Sequence, residues 1–509
     1  MGDGQKSKCT PSKAEQIACA GGGRRFFGAL FSLLPLYVLF CIQSAHAGNV
    51  IPPAGSIVPF AGVLLSIAIG PLLFPAIWHK YDNVILAAWT ILSTWLCFHT
   101  MGKEPTGHLI AGIFLKEYVP LIVLIGTLYI ISSGIGIRIN RAGTTSVNVA
   151  IIATGEILSN LIGTTGTSML LLRPLLDVNK TRKYKVHTLI FFIFLVSNIG
   201  GCLLPFGDPP LFLGYLKGVS FFWTAKHMFP MFLVISTILM FIYIVIDRYL
   251  IRKETISDYT NSHNISFEKD RQHSVRLTPV QITGYFNIAL MVLTAAFVAG
   301  AGMLPKKEAF SIFGSSVHYK GLLRDIGLCL ISAASIFHAR QTLKANKEHH
   351  KHVHSEEVSW APITEVTRYF AAIFITMAPV AAMLKGGHEI FSPICNILKN
   401  TEHPSFWYFW FVSPFSAFLD NAPTYVVFFK MAGGDALSMM VEHARTLTAI
   451  SAGSVFMGAM TYIGNAPNFM VKSIAKQHGV HMPSFLGYMG WSSVILLPVL
   501  AFASYLFLY

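Results

Sequence analysis

The chain has 509 residues, of which 53% are hydrophobic and only 12% are charged. Because soluble domains carry about a quarter charged residues, this composition excludes an ordinary soluble domain and predicts an integral membrane protein. The formal net charge of +14 does not indicate nucleic-acid binding, since the aromatic residues lie inside apolar runs rather than among the cations. We expect the basic residues to set the topology in a lipid bilayer instead.

Residues 1–47 have the features of a targeting segment. Arg24 and Arg25 precede an apolar run from Phe26 to Ile42, and Ala45-His46-Ala47 has the small residues of a cleavage site. We predict a cleaved signal peptide and a location in a bacterial inner membrane. A retained first helix is the alternative, because the polar stretch that precedes Arg24 is long for the basic region of a signal peptide.

The rest of the chain contains many apolar segments that reach the length needed to span a membrane, about 20 residues. The predicted spans are 57–78, 83–100, 118–137, 186–206, 229–247, 283–304, 322–338, 367–385, 446–463 and 487–508. Two further apolar segments, 147–176 and 405–433, are interrupted by Gly, Pro, Asn and Asp. We predict that these two are helical hairpins that enter the membrane and turn back, since non-helical backbone at that depth must be shielded from lipid.

These segments predict an all-α polytopic membrane protein with an inverted-topology repeat, two re-entrant helical hairpins and two broken transmembrane helices. The predicted parts are N-terminal transmembrane helices at 48–117, a first repeat at 118–250, linking helices and cytoplasmic loops at 251–366, and a second repeat at 367–509. If both hairpins return to the side they entered from, the basic loops fall inside, as the positive-inside rule requires. Those loops are 138–141, 180–185, 248–276 and 340–351.

The internal repeat is visible as two sequence breaks that recur with one spacing. The hairpin residue Ser159 corresponds to Ser416, and Gly207, which lies downstream in the first repeat, corresponds to Gly464; both pairs are 257 positions apart. The topology count gives the two halves opposite orientations. Inverted repeats with broken helices in matching positions predict a transport site at their interface.

The breaks contain residues suited to binding ions or small solutes. Glycines allow unusual backbone angles, prolines stop helices, and Asn and Thr supply neutral oxygens. The candidate binding residues of these types are Gly163, Gly207, Gly464, Pro209, Pro423, Asn160, Thr164, Thr165, Asn421, Thr424 and Asn465. Exposed carbonyl groups suit a cation such as Na⁺, whereas helix N-termini suit an anion.

Asp208 and Asp420 are the strongest candidates, because each lies at a predicted break near mid-membrane. A charge there costs about 3 kcal/mol or more on insertion scales. We predict that they bind Na⁺ and exchange it for H⁺; the alternative is that they only cap half-helices. Two weaker candidates are Asn198, near the first break, and Glu156, which is either a proton site or a residue that faces a cavity.

Four stretches resemble a known family: NLIGTTGTSMLLLRPLL, GDPPLFLGY, FLDNAPTY and TYIGNAPNFMVK. They are similar to transporters of the ion transporter superfamily, in a group described as sodium:proton antiporters or citrate transporters, with NhaD-type antiporters among the relatives. The resemblance implies two hairpins that flank a transport pathway, a homodimer and an elevator-like movement. Dicarboxylate symporters of the superfamily carry Ser-Asn-Thr at both hairpin tips, whereas this chain has Gly-Thr-Thr-Gly and Asp-Asn-Ala-Pro, which favours cation exchange.

We therefore predict a Na⁺/H⁺ antiporter that works by alternating access. The alternative is a transporter that couples citrate or another organic anion to Na⁺ or H⁺. A membrane-embedded enzyme is disfavoured, because the chain has no HExxH, GxSxG or P-loop pattern. We expect no cofactor, since Na⁺ and H⁺ act only as transported or coupling ions, and the expected partners are a small ion or solute and the lipid bilayer.

Overall fold

A computed structural model describes residues 52–261, 280–305, 307–312, 315–348, 360–385 and 388–509. The predicted signal segment 1–47 lies outside these residues. Within them, nine helices are long and apolar enough to cross a membrane, and the strands form two short two-stranded sheets. The predicted fold class, an all-α polytopic membrane protein, is confirmed.

The first half of the chain contains two hairpin arms, one broken span and several continuous spans. Its helices are α1 (Ile57–Leu73), α2 (Pro75–Met101), α3 (Lys103–Ile113), α4 (Val119–Ser133), α5 (Thr145–Val178), α6 (Val186–Leu195), α7 (Pro209–Lys217) and α8 (Trp223–Asn261). A π-helical turn, Phe114–Tyr118, joins α3 to α4 without a loop. The membrane-spanning segment there therefore begins N-terminal to residue 118, where the sequence predicted its start.

The second half repeats the pattern of hairpin and broken span. Its helices are α9 (Tyr285–Met303), α10 (Tyr319–Glu348), α11 (Ala361–Lys385), α12 (Ser392–Lys399), α13 (Pro404–Leu419), α14 (Asn421–Met431), α15 (Ala436–Val441), α16 (Ala444–Met457), α17 (Ala466–Gln477), α18 (Phe485–Trp491) and α19 (Leu497–Leu508). A second π-helical turn, Ser492–Leu496, joins α18 to α19.

Short strands replace helix or loop at two places. β1 (Gly136–Ile139) pairs antiparallel with β2 (Val280–Thr283), and β3 (Glu308–Ile312) pairs antiparallel with β4 (Ser315–His318). The span predicted at 118–137 therefore ends early, at Ser133. The residue that follows is Gly134, and glycine is a poor helix former.

Two loops predicted from their positive charge are partly helical. α8 continues past Arg248 to Asn261, and α10 continues past Arg340 to Glu348. Lys, Arg and Glu are good helix formers, so a basic segment can extend a transmembrane helix beyond the membrane surface. The basic residues mark where the apolar part of each segment ends. They gave no signal that the helix continues beyond that point.

The first predicted hairpin is present in α5. Gly163 has φ 76° and ψ 154° in the middle of this helix, a conformation that essentially only glycine adopts without strain. A Cβ on Gly155 would lie 3.1 Å from the side chain of Leu171, whereas a straight helix would separate these residues by about 24 Å. The two arms of α5 therefore pack side by side, as in a re-entrant hairpin.

The second hairpin turns at Asp420, between α13 and α14. Asp420 has φ 84° and ψ 142°, nearly the conformation of Gly163, and it is the non-glycine residue with positive φ in the described part of the chain. The rings of Phe415 and Phe428, one on each arm, are 5.6 Å apart. The two turns thus share one backbone geometry at equivalent positions of the repeat.

Two membrane spans are broken at the positions that the sequence repeat predicts. α6 ends at Leu195 and α7 begins at Pro209, while α16 ends at Met457 and α17 begins at Ala466. At the first break, a Cβ on Gly207 would overlap the carbonyl oxygen of Gly201, and Gly464 stands in the same relation to Gly458 at the second. Only glycine permits this close backbone approach, so both predicted breaks are confirmed together with their glycines.

Candidate functional site

The carboxylate of Asp208 is the centre at which both repeats meet. The residue is 1% exposed. Its Oδ1 accepts hydrogen bonds from Thr164 Oγ1 at 3.2 Å and from Asn465 Nδ2 at 3.0 Å, and its Oδ2 accepts one from Asn421 Nδ2 at 2.5 Å. Two of these three donors belong to the second repeat, so one carboxylate joins the two halves.

Each of these residues lies at the start of a half-helix. Asp208 is the N-cap of α7 and Asn465 is the N-cap of α17, while Asn421 begins α14 and Thr164 follows the turn at Gly163. A helix N-terminus carries roughly half a positive charge. Four half-helix starts therefore meet at the Asp208 carboxylate, and the direction of their dipoles favours its negative charge.

A network of hydrogen-bonded asparagine side chains connects Asn465 to the second break. Asn465 Nδ2 lies 3.2 Å from Asn198 Oδ1, and Asn198 Nδ2 donates to Asn468 Oδ1 at 2.7 Å. Asn468 Nδ2 then donates to the carbonyl oxygens of Gly458 and Thr461 in the second break. Asn198 was a weak candidate from the sequence and Asn468 was missed, although its position three residues after Asn465 on α17 puts both on one helix face.

Asp420 has a different environment from Asp208. Its Oδ1 accepts the backbone N–H of Ala422 at 3.1 Å, and its carbonyl oxygen accepts the Thr424 hydroxyl at 2.7 Å. The side chain thus caps α14, with Pro423 in the first turn of that helix. The hydrogen bonds of Asp420 stabilise the hairpin tip, and its role as a cation ligand stays a prediction.

The side chain of Asn160 forms hydrogen bonds with backbone groups. Its Oδ1 accepts the N–H of Leu203 at 2.8 Å, and its Nδ2 donates to the carbonyl oxygen of Glu156 at 3.2 Å. A further bond, from Thr164 N–H to the Gly207 carbonyl oxygen at 2.9 Å, links the hairpin tip to the same break. The first hairpin is therefore fastened to the first break at two points.

A small cleft with a volume of ≈ 40 Å³ lies beside the carboxylate. Its polar wall consists of the hairpin tip Gly163–Gly166, which includes Thr165, and the break residues Phe206–Pro209, while Leu121, Leu124 and Leu128 of α4 form part of the apolar wall. This volume has room for a few water molecules or an ion, whereas pockets for small solutes have volumes of about 300–1,000 Å³. The sequence thus brings Asp208, Thr164, Asn421 and Asn465 into direct contact and places Thr165 and Pro209 along one adjoining cleft.

Comparison with known proteins agrees with this architecture. No curated protein matches the chain. A family model described as "Putative citrate transport" matches residues 51–508, which include both hairpins and both breaks. This description agrees with the citrate side of the resemblance seen in the sequence and not with its NhaD-type antiporter side. The chain therefore belongs to this family of membrane transport proteins.

Proposed function

We propose that the protein is a secondary transporter that moves an organic anion of the citrate class together with a cation. The observation that carries this proposal is the convergence of four half-helix starts on the Asp208 carboxylate. Their combined field favours carboxylate groups. The family description, which names citrate transport, supports the choice of substrate class.

The hairpin tips would bind the substrate through neutral donors. The hydroxyl groups of Thr164 and Thr165 can donate to carboxylate oxygens, as polar groups at half-helix starts do in other transporters with broken helices. The cleft beside Asp208 has a volume of ≈ 40 Å³ in this conformation, so a molecule with a few carboxylate groups would bind after the hairpin tip moves away from α4. The apolar wall on α4 would exclude water from the opposite side.

Coupling to a cation follows from the charge of Asp208. Two ionised carboxylates in one buried pocket repel each other, so one of them must be neutralised before both can stay. Na⁺ or H⁺ at Asp208 would remove that repulsion and allow the anion to bind. Binding of the anion would then require the cation, which is the condition for cotransport.

A counterflow experiment tests the substrate class without any assumption about coupling. Proteoliposomes loaded with unlabelled citrate are diluted into buffer that contains a trace of labelled citrate. We expect transient accumulation of label that acetate cannot support, since acetate has a single carboxylate. Absence of counterflow with citrate and with all other di- and tricarboxylates would contradict the proposal.

Na⁺/H⁺ antiport is the second candidate. It is favoured by the neutral character of the three side chains that bond to Asp208, which leaves a carboxylate that Na⁺ and H⁺ could occupy in turn. In that case Asp208 and Asp420 would be the exchanging groups, with Asn421, Asn465, Thr164 and Thr165 as neutral ligands. Na⁺-dependent proton efflux from proteoliposomes in the absence of citrate would favour this candidate.

Three predictions about the protein's setting accompany the proposal. They are the cleaved signal peptide at 1–47, the bacterial inner membrane and the homodimer. Mass spectrometry of the purified N-terminus would test the first, and mass photometry in detergent would test the third.

A further inference from the structure

Glu156 is a second buried carboxyl group that the binding site described above does not use. It lies in the first arm of α5 and is 7% exposed. Its Oε1 has no hydrogen-bond partner in the described part of the chain. Asp208 differs in this respect because it has three side-chain donors. Asp247 also has an oxygen without a partner among the described residues, but its other oxygen bonds to Arg182 and His187.

The surroundings of Glu156 belong to the first break and to α8. A Cβ on Gly200 would lie 2.8 Å from the Glu156 Cα, so the backbone of the break runs directly against this turn of the hairpin. Ser236 of α8 is the neighbouring polar side chain, and its hydroxyl is likewise buried without a hydrogen-bond partner among the described residues. The ionisable group that interacts with Glu156 is the buried Cys202 thiol of the break.

These neighbours offer an ionised carboxylate no counter-ion. The contacts named above comprise a hydroxyl, a thiol and backbone, and none is a cation. An ionised carboxylate within a membrane costs about 3 kcal/mol or more unless it is paired, whereas a neutral carboxylic acid does not incur this cost. The Glu156 side chain is therefore suited to carry a proton in this conformation, with the Ser236 oxygen available to accept it in a hydrogen bond.

The position of Glu156 connects its protonation to the binding site. The Glu156 carbonyl oxygen bonds to Asn160, which also holds the N–H of Leu203 in the break. The same arm continues to Gly163 and Thr164 at the tip, where Thr164 bonds to Asp208. A shift of the hairpin against the break would change the environment of both carboxyl groups together.

We propose that Glu156 is the proton-binding site that couples transport to a proton gradient. This inference rests on the proposed function, assigns the coupling proton to Glu156, and leaves Na⁺ as the cation that neutralises Asp208. In the conformation seen here the O–H bond of the acid is intact. When the hairpin moves and the group meets water, the O–H bond breaks, the proton passes to a water molecule and the carboxylate remains; the reverse step reloads it.

The variant Glu156→Gln tests this assignment. Glutamine keeps the shape of the neutral acid and can donate to Ser236, so the fold is expected to survive, but it cannot release a proton. We expect citrate counterflow close to that of the wild type, together with loss of accumulation driven by an imposed proton gradient. Glu442→Gln is the matched control, because Glu442 is exposed, and it should keep both activities.

The outcomes separate this inference from the proposed function. Proton-driven accumulation that persists in Glu156→Gln would overturn the assignment, as would simultaneous loss of counterflow in a variant that melts like the wild type. Accumulation by the wild type that follows only a sodium gradient would also overturn it while leaving citrate transport intact. Lack of counterflow in the wild type would refute the proposed function itself.

A second variant covers the case in which Glu156→Gln does not fold. Ser236→Ala removes the oxygen that accepts the acid proton and leaves the carboxyl group in place. We expect counterflow to persist and the midpoint of the pH dependence of driven uptake to move by about half a unit, the equivalent of one ordinary hydrogen bond. An unchanged midpoint would overturn the assignment.

Discussion

Replacement of Asp208 by Asn is the most informative single change at the proposed site, because it removes the charge and keeps the shape. In the wild type, Oδ1 accepts from Thr164 and Asn465, and Oδ2 accepts from Asn421. In the variant, the new amide nitrogen would face the Asn421 Nδ2, so two donors would oppose each other. Asn421 can resolve this conflict by rotating its amide, since its Oδ1 has no partner among the described residues.

The cost in stability should therefore be modest. Hydrogen bonds to charged groups contribute about 1.5–3 kcal/mol each and neutral ones about 0.5–1.5 kcal/mol. The bond to Asn421 is regained after rotation, and the two bonds at Oδ1 only become weaker, so we expect a loss of roughly 1–3 kcal/mol. The cation, in contrast, loses its charged ligand. Removal of one partner of a buried charge pair costs about 3 kcal/mol or more, which corresponds to at least ~100-fold weaker binding.

The assay compares melting temperature with citrate counterflow in proteoliposomes. We expect Asp208→Asn to remain folded and to show citrate counterflow that no longer requires the cation, since the neutral amide removes the repulsion without it. Asp435→Asn is the control: Asp435 is an exposed N-cap whose Oδ2 accepts the N–H of Ser438 at 2.8 Å, and Asn caps helices equally well. Counterflow in Asp208→Asn that still requires the cation would refute the reasoning, and so would a variant too unstable to purify, since the structure allows Asn421 to compensate.

Three further predictions concern the hairpin, a buried ion pair and the asparagine network. Gly163→Ala should lower stability by about 1–3 kcal/mol because alanine is strained at positive φ, whereas Gly300→Ala, in open space on α9, should be neutral or stabilising in a thermal melt. Arg182→Met should cost about 3–5 kcal/mol, because it leaves Asp247, which is 0% exposed, without its 2.7 Å partner. Asn468→Asp should abolish counterflow and lower the melting temperature, since an oxygen would then face the carbonyl groups that Asn468 now bonds.

A specific result would refute each of these three predictions. Equal melting temperatures for Gly163→Ala and Gly300→Ala would mean that the tip is not rigid. Arg368→Met is the control for the ion pair, because Arg368 is 44% exposed and 3.7 Å from Asp82, and exposed pairs contribute only about 0–1 kcal/mol; an equal loss in both variants would refute the role of burial. Counterflow at the wild-type rate in Asn468→Asp would show that transport does not need the asparagine network.

The sequence predicts the hairpins and breaks well because their signals are local. Gly163, Gly207 and Gly464 interrupt apolar runs that otherwise satisfy the requirements of a membrane helix, and the constant spacing of the repeat fixes which breaks correspond. The contact of Asp208 with Asn465 and Asn421 follows from the inverted repeat, since the repeat interface is where broken helices meet. These features needed no knowledge of long-range packing.

Other features depend on packing that the sequence does not reveal. The sequence cannot separate Asp208 from Asp420, because both are carboxylates at breaks, whereas the structure gives one carboxylate side-chain donors from both repeats and directs the other to the N–H of Ala422. Asn468 was missed because an asparagine on a helix is usually a surface residue. The continuation of α8 past Arg248 was missed because polar helix formers such as Lys, Arg and Glu give no hydropathy signal for a helix.

Accumulation of labelled citrate against its gradient tests the central claim most directly. Proteoliposomes with an imposed inward proton or sodium gradient should accumulate citrate above the external concentration, and an ionophore that collapses the gradient should release it. Citrate that never exceeds equilibrium under either gradient, in vesicles that still exchange Na⁺ for H⁺, would contradict the account.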